Sequence, residues 1–123
     1  MSFIRFPEWV YSQNEMHFFH MNLMKIWFDM ILSGEKKEEY RKHKPFYDRR
    51  IDQFGQIKIG GKWVHYSKVK IIFSNGYKTN APRMIVDIIG MRYHSGGKKE
   101  WGAVDGEKYI VFELGKVHEI IRK

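Results

Sequence analysis

The segment Glu35-Lys36-Lys37-Glu38-Glu39-Tyr40-Arg41-Lys42 is charged at every position but Tyr40. Its residue types suit two kinds of chemistry. Lys36 and Glu39 are an amine and a carboxylate close enough in sequence to act as an acid/base pair. Lys36, Glu39 and Arg41 together could instead line a phosphate site, because a guanidinium grips phosphate or carboxylate through two parallel hydrogen bonds that lysine cannot supply. For Lys36 to act as a base at neutral pH, its pKa has to fall from about 10.4 to about 7. Burial lowers it, whereas Glu35, Glu38 and Glu39 stabilise the ammonium. The sequence therefore predicts a charged Lys36 that meets phosphate or pairs with Glu39. A structural ion pair among the same residues is the competing role, as is an exposed edge strand whose charges discourage aggregation.

A second basic group, Arg41, Lys42, Lys44, Arg49 and Arg50, is interleaved with Tyr40, Phe46 and Tyr47. This mixture suits single-stranded nucleic acid: phosphates meet the cations and bases stack on the rings, at about 1–3 kcal/mol each. The alternative is a solvated helix face. Lys58, Lys62, Lys68 and Lys70, with Trp63 and Tyr66, form a looser mixture that reads first as the outer face of a strand. Metal chemistry has little support. Cysteine is absent, His17 and His20 point to opposite faces of a strand, and His65, His94 and His118 are scattered, so neither metal nor cofactor is expected. Neither Gly60-Gly61 nor Gly96-Gly97 precedes the Lys-Ser/Thr of a phosphate loop, and no Gly-x-Ser-x-Gly elbow is present.

The elements that must position these groups follow from periodicity. Met24, Trp27, Phe28, Ile31 and Leu32 recur at helical spacing as one apolar stripe, which Gly34 stops as a left-handed residue. Met16–Met21 reads as a strand ahead of it, and Pro45–Ile51 as a short helix beyond the charged run. Strands follow at Val69–Phe73, Arg83–Tyr93 and Tyr109–Leu114, the last continuing past a bend or bulge at Gly115 to Ile121. Asn75-Gly76 and Asp105-Gly106 mark turns, with Tyr77 beside the first. Trp27 reads as core and Trp101 as a core plug. A short helix is expected from Glu8. The fold class is α+β on a curled, barrel-like sheet, with a sandwich as the alternative.

The chain has 123 residues, 43% of them hydrophobic and 16% aromatic, enough for one domain with a real core. Its net charge of +8 favours polyanionic partners, nucleic acid ahead of anionic membrane. No apolar run reaches membrane-spanning length, and the first residues lack a signal-peptide core. A cytoplasmic protein is expected.

The run Trp27-Phe28-Asp29-Met30-Ile31-Leu32-Ser33-Gly34-Glu35-Lys36-Lys37-Glu38-Glu39-Tyr40-Arg41 resembles the signature of the ASCH domain family, an apolar helix ending in Gly-x-Lys followed by Glu-x-Arg. Phe73-Ser74-Asn75-Gly76-Tyr77 with Ala81-Pro82-Arg83-Met84, and Trp101-Gly102-Ala103 leading to Tyr109–Gly115, resemble later blocks of small bacterial and phage members. The likeness covers roughly residues 17–118. It implies a PUA-like β-barrel and a cleft beside the helix that binds RNA or another single-stranded nucleic acid; the aromatic residues of 1–16 read separately as an N-terminal extension packed on a domain of residues 17–123. The resemblance adds Lys36, Arg41 and the cleft-rim Tyr77 as contacts, to which the basic and aromatic pattern above joins Lys42, Lys44, Tyr47, Arg49 and Arg50. Some relatives are thought to be ribonucleases or amidohydrolases of acetylated cytidine, which would make Lys36 and Glu39 the catalytic pair. Glu39 stands where the amidohydrolase branch has a threonine nucleophile, and a carboxylate does not reproduce hydroxyl chemistry. A protein-binding adaptor is a third class, and it predicts no nucleic-acid affinity at physiological salt.

Overall fold

The computed structural model describes residues 16–121. The expected N-terminal extension, with its helix from Glu8, lies outside the described residues except for Met16. Strand β1 (His17–Leu23) directs Phe19, Met21 and Leu23 inward by simple alternation. Helix α1 (Lys25–Leu32) follows, with Met24 as its extended N-cap. Phe28 and Ile31 are buried, whereas Met24, ahead of the first turn, is exposed. Gly34 takes φ 84° and ends the helix as its sequence position predicts. The Lys36 amide then donates to the Met30 carbonyl at 2.9 Å, folding the chain back under α1.

Strand β2 (Glu38–Lys42) leads to helix α2 (Pro45–Asp48), which opens on proline. This helix is shorter than the sequence suggests, because Ile51 leaves it to bridge Ile57 in the core. Strands β3 (Gln56–Ile59) and β4 (Lys62–His65) form a separate hairpin around Gly60 and Gly61, both at positive φ. Strands β5 (Val69–Asn75), β6 (Arg83–Ser95) and β7 (Tyr109–Ile121) complete the fold, with one 3-10 turn at Tyr66–Lys68 and another at Lys99–Trp101.

Five strands make one sheet in the order β1-β5-β6-β7-β2, parallel between β1 and β5 and antiparallel elsewhere. The long β6–β7 ladder slips register four times. One slip lies between the Val86–Val117 and Ile88–Leu114 pairs, where β7 carries an extra residue beside Gly115. Each bulge adds bend and twist, so the sheet curls into a half-barrel around Phe73, Phe112, Ile71 and Met84. Phe19 and Phe112 stack across its interior at 6.4 Å. The architecture is α+β with a curled sheet and two short helices.

Asn75-Gly76 departs from expectation. Only Gly76 takes positive φ, its amide donates to the Leu23 carbonyl, and residues 76–82 connect β5 to β6. The Asn75 amide donates to the Pro82 carbonyl and Ser74 pairs with Arg83, so a longer connection, not a two-residue turn, joins the strands. Among the described residues no helix is long and apolar enough to cross a membrane.

Candidate functional site

A curled sheet that does not close leaves two edges, here β1 and β2. The charged segment leads into and along β2, and at this seam Lys36 and Glu39 turn inward while Glu35, Lys37 and Lys42 stay exposed. Glu39 and Arg41 share a face of the strand, two residues apart. Arg41 Nη2 meets Glu39 Oε2 at 2.6 Å and donates to the Asn22 carbonyl of β1 at 2.9 Å, while Nη1 donates to the Tyr47 hydroxyl of α2 at 3.0 Å. Three acceptors on three elements thus fix one guanidinium.

Glu39 Oε1 faces Lys36 Nζ at 3.3 Å. The ammonium also donates to the Trp101 carbonyl at 2.6 Å and lies 5.2 Å from the Trp27 ring and 4.8 Å from that of Tyr40. Only 1% of the Lys36 side chain is exposed. Two cations therefore share one buried carboxylate, which leaves the group a positive charge in excess when Lys36 is protonated. The sequence expectation that nearby carboxylates keep the Lys36 pKa high is corrected here. Burial is the largest influence and lowers it, the contacts with Glu39 oppose this, and Arg41 lowers it further. Glu38, though paired with Arg92, also opposes the lowering, as expected of a nearby carboxylate, while Glu35 is exposed to solvent.

Above this buried group lies a cleft of about 370 Å³. Trp27, Tyr40, Tyr47, Trp101 and Tyr109 contribute to its walls, and Arg41, Lys42 and Lys44 supply its cations. Tyr40 carries the loop that brings Trp101 in: its hydroxyl donates to Glu38 Oε1 at 2.7 Å and accepts from the Lys98 amide at 2.9 Å. Burial raises the Tyr40 pKa, keeping the phenol neutral. Gly97 allows the approach, since a Cβ there would lie 2.5 Å from the Tyr40 ring. Behind Tyr40, Arg92 Nη1 reaches Glu38 Oε2 at 2.8 Å and Glu113 Oε2 at 2.6 Å. The Arg92 hydrogen bond holds the Glu38 carboxyl below its usual range, against the opposing effect of burial.

The residues singled out in the sequence fall into four places. Arg41, Lys42, Lys44 and Tyr47 line the cleft with Glu39, and Lys36 lies beneath its surface. Arg49 and Arg50 line a different groove, with Phe46 and Lys58. Tyr77 is 88% exposed on the β5–β6 connection and lines neither. The looser lysine group divides as well: Lys58 lies 5.8 Å from the Trp63 ring, while Lys70 pairs with Asp87, which His118 Nε2 also meets at 2.7 Å.

Trp27 and Trp101, expected in the core, are half-buried and line the cleft, Trp27 packing against the core as well. Trp27 sits on the flank of the apolar stripe against Gly102, which has φ 100°, and its place in the helical pattern does not reveal which side of the stripe meets the seam. Asn22 and Tyr109 carried no signal, since both act through positions the curl of the sheet brings near β2. Among the described residues no cluster of three or more His, Asp or Glu side chains is placed to hold a metal ion. Comparison with protein-family models, curated proteins and solved structures finds no match for this chain.

Proposed function

We propose that the chain is an ASCH-type, PUA-like cytoplasmic protein that binds single-stranded RNA in the seam cleft. The observation that carries this reading is the Arg41 guanidinium, held by Glu39, Asn22 and Tyr47 in a concave site walled by the rings of Trp27, Tyr47 and Trp101. Rings accept any base face, and cations at the mouth meet phosphates, the combination that suits unpaired strands. Lys44 lies at the cleft without a carboxylate partner among the described residues, so its charge remains for a ligand.

Titration of octauridylate against intrinsic tryptophan fluorescence tests the reading. Affinity falls with salt at a log–log slope of about −0.7 per phosphate contacted. Trp27→Ala removes a stacking face and weakens binding by about 1–3 kcal/mol. Salt-independent binding, or wild-type affinity in both Trp27→Ala and Arg41→Ala, overturns it.

A second reading, hydrolysis of RNA or of acylated nucleosides, is favoured by the buried Lys36–Glu39 pair, since perturbed pKa values gather at functional sites. Because Lys36 is covered, Glu39 is the group of this pair that lines the cleft. Incubation with labelled single-stranded RNA and acylated cytidines decides it: equal turnover by wild type and Glu39→Gln, or none by either, removes Glu39-dependent catalysis.

A further inference from the structure

Several cations of the sheet and cleft already meet carboxylates. Lys36 and Arg41 share Glu39, Arg92 lies between Glu38 and Glu113, Lys70 pairs with Asp87, and Lys42 lies 3.9 Å from Glu107. Arg49, Arg50 and Lys58 differ. Among the described residues none of the three has a carboxylate within ion-pair distance, and all three face one groove of about 520 Å³ whose lining contains no acidic side chain.

The groove has definite geometry. Arg49 Nε donates to the Pro45 carbonyl at 3.1 Å and Arg50 Nη1 to the Phe46 carbonyl at 2.8 Å, which steadies both guanidiniums at the end of α2. The Arg50 guanidinium lies 4.0 Å from the centre of the Phe46 ring. The opposite side is the β3–β4 turn, where a Cβ on Gly60 or Gly61 would meet nothing within 4 Å. A ligand can therefore approach that backbone without side-chain obstruction.

Helix α2 forms the wall between this groove and the cleft. Its consecutive residues Phe46 and Tyr47 line different depressions, Phe46 the groove and Tyr47 the cleft, and their rings meet edge to face with centres 5.0 Å apart. We propose that the Arg49/Arg50/Lys58 groove is a second station for the sugar–phosphate backbone of a nucleic-acid strand whose base occupies the cleft, the strand crossing α2 between them. This rests on the cleft reading and adds a prediction of its own: the groove reads charge and the cleft reads rings, so affinity grows with strand length once the strand is long enough to cross α2.

The test compares octauridylate with uridine monophosphate on wild type, on the triple variant Arg49→Gln/Arg50→Gln/Lys58→Gln, on Trp27→Ala and on Arg41→Ala. Loss of three phosphate contacts lowers the magnitude of the octauridylate salt slope by about 2, and weakens binding roughly tenfold to hundredfold at moderate salt, while monophosphate affinity is unchanged. An Arg49→Lys/Arg50→Lys variant keeps most of the slope, because the contacts are to charge. Wild-type octauridylate affinity and slope in the triple variant overturn the groove and leave the cleft reading standing. Loss in the triple variant with full affinity in both Trp27→Ala and Arg41→Ala overturns the cleft reading, and with it the strand shared between cleft and groove. Absence of octauridylate binding by wild type removes both, and equal displacement of octauridylate by polyglutamate or by anionic lipid vesicles overturns the assignment to nucleic acid.

Discussion

Arg41 and Asn22 join the two edges of the open sheet: the β2 guanidinium donates to the β1 carbonyl at 2.9 Å, although the two strands form no ladder with each other. The same side chain meets the buried Glu39 carboxylate at 2.6 Å. One residue thus braces the half-barrel and presents charge to the cleft.

Arg41→Ala should cost about 2–4 kcal/mol of stability, since it leaves the Asn22 carbonyl, the Tyr47 hydroxyl and one oxygen of Glu39 without their donor. Arg41→Lys keeps the charge but lacks the fork that reaches three acceptors, so it should fall between Ala and wild type. Urea unfolding measures both. A lysine variant as stable as wild type would show that the fork is not what closes the seam.

Glu39→Gln should destabilise more than Lys36→Met, because it strands two cations near one another with no counter-charge. In the folded protein the Lys36 pKa already lies below its ordinary value of 10.5, through burial first. Folding therefore releases a proton between the folded and the unfolded pKa, and stability rises with pH across that window. Removing Glu39, which opposes the depression, widens the window downward. The unfolding midpoint of Glu39→Gln should climb from neutral toward alkaline pH, and Lys36→Met/Glu39→Gln should lose most of the climb. An equal climb in the double variant would assign it to another group.

Glu38 sets an acid limb. Its hydrogen bond from Arg92 holds the folded carboxyl below the ordinary 4.5, so the stability it contributes is present above 4.5 and is lost as pH falls through the folded value. The pair is partly solvated, with Arg92 36% exposed, and its contribution is about 1 kcal/mol. Stability profiles of wild type and Glu38→Gln should therefore converge in acid and separate at neutral pH. Parallel profiles across the whole range would contradict this.

Gly97→Ala should weaken the cleft without touching its charges. Gly97 is not at positive φ, so the strain is steric: the new methyl meets the Tyr40 ring and displaces the hydroxyl that accepts from Lys98. Overpacking of this kind costs about 1–3 kcal/mol. Thermal unfolding and octauridylate affinity should both decline, and unchanged values in both would mean that Tyr40 has room to move.

Much of the local structure was legible in the chain. The stripe containing Phe28 and Ile31, the stop at Gly34, the long strand from Arg83 and the bulge at Gly115 depend on neighbours within a few residues, and helical and strand periodicities report such neighbours directly. The ionic character of Lys36, Glu39 and Arg41 was legible for the same reason, since one short segment carries all three. Their partners were not. Lys36 reaches Trp101 across 65 positions, and Arg41 reaches Asn22 only because bulges in the β6–β7 ladder curl the sheet until its edges approach. Which cations are neutralised and which stay free depends on through-space distance to a carboxylate. Composition supplied the excess of positive charge, and the tertiary structure left Arg49, Arg50 and Lys58 to carry part of it unpaired.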